Sequence, residues 1–342
     1  MANTSTARTL LWPADGNILL RVVFLYVGQG TSTLAIVADG GDYRVLLIDI
    51  NRDDERNGID VAALVDDLLN GSDLLAFVNS HPHNDHLRGV LELADKVGIR
   101  EVWHSGHRPS KKHGEPYDNL QTVIRKIKHA GGKEVVLRRA DKPQNLGDAQ
   151  CHVLAPSASL TEEVNEEHAD ERYARIHEQC AVLKLGRAPD WVMLPGDADR
   201  SAFEQHIVPH FGSALGATVL AAAHHGSCSY FRSNQEEEPY FAALEMTNPA
   251  YVVVSAPRQR ESPHSLPDSE AMKYYERKVG SDKVAHTGED RHCFMFDIYR
   301  DGGHSQLFDR GGQLVNAYGL GRPEQRRPTP IQNKREYATA HA

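Results

Sequence analysis

The segment Ser80-His81-Pro82-His83-Asn84-Asp85-His86 sets three imidazoles and a carboxylate side by side. Imidazole nitrogen and carboxylate oxygen are the ligands that borderline and hard divalent cations accept, and one loop holding four of them fixes their geometry without a long-range search. With 19 His in 342 residues, chance would produce His-x-His-x-Asp-His in roughly one chain of this length in several hundred. The stretch is therefore read as a metal site, and its ligand count suits two metals better than one.

Something must deliver that loop. The apolar run Leu74-Leu75-Ala76-Phe77-Val78 just before it reads as a short buried strand. Upstream, residues 18–27 read as a strand, Gly28-Gln29-Gly30 as a tight turn, and residues 33–37 and 43–50 as two more strands of an antiparallel meander. Residues 59–69 carry Val61, Leu64, Leu68 and Leu69 at helical spacing. Further strands are expected at 102–103, 135–137, 152–154, 180–185, 191–194, 218–222 and 251–254, with helices over 118–129 and 160–175, the latter acid-rich and solvated. Strand, loop and helix alternate, which predicts an α/β fold. Three late strands run into Gly196-Asp197, into His224-His225-Gly226-Ser227 and into a loop with Pro263-His264. In layered α/β folds such loop ends converge on one rim.

Composition narrows the function. A formal net charge of −9 excludes a polycation built to coat nucleic acid or anionic membrane, so any nucleic-acid contact must be local or metal-mediated. No run approaches eighteen apolar residues and the N-terminal stretch lacks a secretory core, which points away from membranes and toward the cytoplasm. Cys151, Cys180, Cys228 and Cys293 lie far apart, as unpaired thiols of a reducing compartment would. Residues 1–310 are expected to form one domain. From 311 to 342 the chain is rich in Pro, Arg, Gln and Asn without an apolar period, and is expected to be a mobile tail.

Taken together, Val27-Gly28-Gln29-Gly30, Leu47-Ile48-Asp49, the histidine loop, Leu194-Pro195-Gly196-Asp197-Ala198 and His224-His225-Gly226-Ser227 resemble the metallo-β-lactamase superfamily over roughly residues 20 to 300. Within it they are most similar to the hydrolase domain of the bacterial competence DNA-uptake channel. The resemblance implies a four-layer αββα sandwich with a dinuclear site at one edge. His81, His83 and a third histidine would hold the first metal, Asp85, His86 and a late histidine the second, and Asp197 would bridge them. Asp49 would act in catalysis by orienting ligands and water. His177, three residues ahead of Cys180, is chosen as the third histidine over His168. Of the adjacent pair, neighbours on an extended segment would point to opposite sides, so only one can readily bind the same metal; in branches with a His-x-Gly ending it is the first that binds, so the resemblance favours His224 and leaves His225 to contact substrate or support the fold. His264 resembles a late His-Pro element of that branch and could protonate a leaving group. Cys228 is read as packing.

Two divalent ions about 3.5–4 Å apart would generate a bridging hydroxide at neutral pH and stabilise charge on the attacked centre. Zn²⁺ fits the His-rich set best, and Mn²⁺ has similar tolerance. The expected activity is that of a phosphodiesterase or nuclease, with single-stranded DNA or another nucleic acid as substrate. The basic stretch 108–113, with Arg125, Lys126 and Lys128, could guide its backbone. The alternatives are a hydrolase of small phosphoesters or other esters, and a partner-binding protein with a regulatory metal site, its partner held through the acidic segments near 162–171 and 236–238 or through the tail.

Overall fold

A computed structural model of the chain describes residues 6–109, 114–309 and 312–321. Among the described residues fifteen strands form two sheets: β1 Ile18–Phe24, β2 Thr33–Asp39, β3 Asp42–Ile48, β4 Leu74–Asn79, β5 Ile99–His104, β6 Lys133–Val136, β7 Gln144–Leu146, β8 Ala149–Ala155, β9 Val182–Arg187, β10 Asp190–Leu194, β11 Val219–Ala221, β12 Tyr251–Val254, β13 Val284–His286, β14 Phe294–Tyr299 and β15 His304–Phe308. The first sheet runs β15-β14-β1-β2-β3-β4-β5-β6 and the second β13-β12-β11-β10-β9-β8-β7.

Period-two burial separates the layers. In β1, Leu20, Val22 and Phe24 face the second sheet and pack with Leu183, Val192 and Val253, while Val23 faces the other way. On that outer face lie the helices Val61–Leu69 and Glu115–His129, through residues such as Leu64, Leu68, Val123 and Ile127. The second sheet's outer face, Val182, Met193 and Val252, packs with Phe203, Leu244 and Tyr275 from later helical segments. The order helix, sheet, sheet, helix is the four-layer αββα sandwich expected from the sequence.

One buried ion pair ties the first sheet together. Arg21 of β1 stands opposite Asp297 of β14; its Nε and Nη2 each donate to a carboxylate oxygen at 2.7 Å, and the Asp297 side chain is 2% exposed. Removing one partner strands a buried charge, so Asp297→Ala is expected to destabilise the fold by about 3–5 kcal/mol. Arg44→Ala, which breaks an ion pair with Asp39 that is about two-fifths exposed on each side, should cost less than about 1 kcal/mol. Urea midpoints for the two variants check the contrast.

The structure departs from the sequence reading in three places. The helix expected over 160–175 is two, Ala158–Glu166 and Ala169–Ala174, because Glu167 and His168 are extended and His168 caps the second. The hairpin β14–β15 went unread, although Phe294–Tyr299 is apolar and Gly302-Gly303 could mark its turn. Within the segment 311–342, the described residues 312–321 include the helix Gln313–Tyr318, whose Leu314 and Val315 join the core, and Leu320 N–H donates to Gly58 O. Residues 322–342, the rest of the expected tail, lie outside the described residues. Among the described residues no helix is long and apolar enough to cross a membrane, and all four cysteines are buried and free.

Candidate metal centre

β3, β4 and β5 are mutually parallel, as are β10, β11 and β12, so the loops leaving their C-terminal ends share one edge of the sandwich. Asp49 follows β3, the histidine loop follows β4, Asp197 follows β10, and the His224-His225 turn follows β11. His177 arrives just ahead of β9, which is antiparallel to β10 and therefore begins at the same edge. The Gly196 turn completes the approach. A Cβ there would lie 2.7 Å from Ser80 Cβ and 2.8 Å from Cys180 Sγ, and φ is +54°, so glycine alone lets Asp197 press against the histidine loop.

Two ligand-capable groups result: His81, His83, His177 and Asp197; and Asp85, His86 and His225. In the first, His83 Nδ1 lies 3.0 Å from His81 Nε2 and 3.3 Å from His177 Nε2. Asp197 faces both groups. Its Oδ1 lies 3.2 Å from His86 Nε2, and its Oδ2 lies 3.7 Å from His81 Nε2 and 3.6 Å from His225 Nε2.

Hydrogen bonds fix the tautomers. His86 Nδ1 donates to Asp49 Oδ2 at 2.8 Å and His225 Nδ1 to the Ser255 carbonyl at 2.9 Å, which leaves both Nε2 atoms bare. His86 Nε2, His225 Nε2 and Asp197 Oδ1 are buried without hydrogen-bond partners. Bare nitrogens and carboxylate oxygens crowded in one buried space need either protons or cations, and the donor set fits divalent cations.

The titration directions agree. Burial, reinforced by His224, pulls His177 down to about 3, and burial together with His86 lowers His81, so both offer neutral lone pairs. Burial would depress His86 as well, but the charges of Asp197, Asp49 and Asp85 outweigh it and raise the group. Burial would raise Asp85, yet His86 and His225 hold it well below the usual carboxylate range.

Asp49 belongs to neither group. Fully buried in a left-handed conformation (φ +55°), it accepts from Ser80 N–H at 2.7 Å, Ser80 Oγ at 2.6 Å and Asn79 Nδ2 at 3.2 Å besides His86. It orients the histidine loop from beneath.

The sequence choice between the adjacent histidines comes out differently in the structure. His225, not His224, stands with Asp85 and His86, its Nε2 3.2 Å from Asp85 Oδ2. The pair is not on an extended segment: both residues have positive φ, 49° and 56°, inside the short turn Ala223–Gly226. Alternation therefore does not govern them. His224 donates or accepts through Nδ1 with Ser229 Oγ at 2.8 Å, and its ring lies 4.3 Å from that of His177, beside the first group. His168 is exposed at its helix cap, away from the cluster. His264 is exposed on the loop after β12 and joins neither group. Cys228 is buried and sits with Asp268 and Glu270 rather than with the histidines.

The segment carrying His177 is braced in ways no sequence pattern announces. Glu178 accepts from Arg175 Nε at 2.6 Å, Arg175 Nη2 at 2.8 Å and His206 Nε2 at 2.8 Å, and Gln179 Oε1 meets His107 Nδ1 at 2.6 Å. Burial opposes the charge on Glu178, but Arg175 and His206 hold its carboxyl at about 2. A depressed folded-state value contributes stability that is complete above the ordinary glutamate value and is lost as pH falls toward 2. Glu178→Gln should flatten the acid side of the stability profile between about pH 4.5 and 2, by about 1–2 kcal/mol once solvent screening is allowed for. Denaturant titrations at pH 3 and pH 6 measure it.

No curated protein matches the chain. Similar solved structures include Igni18, a metallo hydrolase from the archaeon Ignicoccus hospitalis (14% identity, TM-score 0.42, 84% of this chain and 98% of that one). They also include a diphosphatase from the PhnP family (12% identity, TM-score 0.38, 78% of this chain and 94% of that one). A third is MEM-A1, a subclass B3 metallo-beta-lactamase from a soil metagenome library (14% identity, TM-score 0.32, 78% and 98%). Residues 28–153, which carry the Gly28-Gln29-Gly30 turn, Asp49 and the whole histidine loop, match the model of the metallo-beta-lactamase superfamily.

Proposed function

We propose that the chain is a metal-dependent phosphodiesterase with two cation positions. His81, His83 and His177 would hold one cation, Asp85, His86 and His225 the other, with Asp197 shared. The observation that carries this reading is the single buried carboxylate of Asp197 facing both ligand groups. Divalent cations there would make water a better nucleophile at neutral pH and stabilise charge on the phosphoryl oxygens, and a phosphodiester gains most because attacking and leaving oxygens both carry charge. Asp49 keeps the His86 tautomer that turns Nε2 inward. His264, exposed on the loop after β12, gives a proton to the leaving oxygen.

Single-stranded DNA is the favoured substrate by resemblance to the competence-channel hydrolase. One observation favours a smaller phosphoester. The helix Glu115–His129 joins β5 to the parallel β6, so it starts at the site edge and its last turn lies about 20 Å away along the axis. Lys126 and Lys128 on that last turn are engaged with Asp95 and Glu134, so they do not line a path to the metals. Residues 110–113 of the basic stretch lie outside the described residues.

Metal-stripped protein reloaded with Zn²⁺ or Mn²⁺ should cleave bis(4-nitrophenyl) phosphate, and the stripped protein should not. Cleavage of labelled single-stranded DNA at a comparable rate supports the nuclease; cleavage of short esters alone supports the smaller substrate. Two bound metals without hydrolysis of any ester would defeat the enzyme reading and favour a regulatory metal site.

A further inference from the structure

The Gly28-Gln29-Gly30 turn and the loop carrying His264 come from opposite ends of the chain, and Ser262 joins them. Its Oγ donates to Gln29 Oε1 at 2.9 Å and accepts from the backbone N–H groups of His264 at 3.2 Å and Leu266 at 3.0 Å. One hydroxyl thus folds the turn around His264 and fastens it to Gln29.

Both sides of this junction are anchored on Asp53, 3% exposed. Asp53 Oδ2 accepts from Gln29 N–H at 2.9 Å and from Arg56 Nη1 at 2.8 Å, while Arg56 Nε donates to Glu261 O at 2.7 Å. The same segment is tied to the metal centre at its roots. The Ser255 carbonyl accepts from His225, and Asp268 N–H donates to Gly226 O at 3.0 Å. On the far side of the glycine turn, Thr31 N–H donates to the carbonyl of Asp85. Segment 255–268 is therefore held at its root by the loop that bears His225 and at its tip by the glycine turn, which is itself bonded to the loop that bears Asp85.

An exposed loop of this length ordinarily samples many conformations, and ordering it costs about 1–2 kcal/mol per residue fixed. Here that cost is offset by contacts that converge on the turn bearing His264, whose own side chain stays exposed. We propose that Gln29 and Ser262 are positioning residues, a latch that holds His264 where it can protonate the leaving oxygen of a bound phosphoester. The inference rests on the acid role given to His264 above. In the step, a water oxygen forms the new bond to phosphorus and the bond from phosphorus to the leaving oxygen breaks with its electron pair. The His264 imidazolium proton goes to that oxygen, and neutral His264 regains a proton from solvent.

Protonation matters most when the leaving group is a poor one. The test compares the metal-loaded full chain with Ser262→Ala, Gln29→Ala, the double variant and His264→Ala on two diesters, one with a nitrophenolate and one with an alkoxide leaving group. Amide hydrogen exchange at His264 and Leu266 is read in parallel. In each latch variant, kcat for the alkoxide substrate should fall at least tenfold further than for the nitrophenolate one, the double variant should be no worse than His264→Ala, and Gln29→Ala should accelerate exchange at both amides as Ser262→Ala does. Equal losses on both substrates, or unchanged exchange in Gln29→Ala, overturn the latch. If His264→Ala shows the leaving-group effect and the latch variants do not, the acid role stands and the latch fails. If the wild type cleaves neither diester, the functional reading fails, and exchange alone still decides whether Gln29 holds the turn.

Discussion

Asp197→Ala should lower metal-dependent hydrolysis about a thousandfold or more and leave at most one tightly bound cation per chain. Its carboxylate faces both ligand sets, lying 3.2 Å from His86 Nε2 and 3.6 Å from His225 Nε2 as well as 3.7 Å from His81 Nε2. Two clamped cations supply several kcal/mol of charge stabilisation in the transition state, and each 1.36 kcal/mol is tenfold in rate. Asp197→Asn keeps the shape and loses the charge, so it should share most of the kinetic defect and show that misfolding is not its cause. Metal content by mass analysis, circular dichroism and kcat on the nitrophenyl diester decide the matter. Wild-type turnover with two cations retained would remove Asp197 from the centre.

The adjacent histidines give the second large effect. His225→Ala should cost at least about a hundredfold in affinity at the second position and a comparable loss in kcat, because its Nε2 is aimed at Asp85 by the Ser255 carbonyl. His224→Ala should cost less than His225→Ala: its Nε2 also lies 3.6 Å from Asp197 Oδ2, but His224 is held by Ser229 and does not stand with Asp85 and His86. Calorimetric titration of stripped variants with Zn²⁺, together with kcat, separates the two. Reversed magnitudes would return the ligand role to His224.

Several of the centre's parts were legible in the chain because their geometry is local. Residues 81–86 bring their own spacing, and the apolar strand ahead of them fixes where they emerge. Asp49 and Asp197 were readable as polar residues ending apolar strands. The layers followed from period-two and helical patterns, which need only the alternation of each segment. The missed hairpin β14–β15 shows the limit: β14 pairs with β1 across 270 residues or more, and no local pattern says which strand completes a sheet.

Residue types and spacing were enough to name the candidate ligands and the rim where they gather, and the resemblance carried the expected fold. Tertiary structure alone decided which of two neighbouring imidazoles turns inward, because that depends on the left-handed turn at residues 224 and 225 and on a carbonyl from β12's end. It also decided what braces the candidate site. Asp49 beneath His86, His206 against Glu178 beside His177, and Ser262 against Gln29 near His264 are contacts between elements distant in the chain, and a side chain's partner is set by packing in three dimensions rather than by its neighbours in sequence.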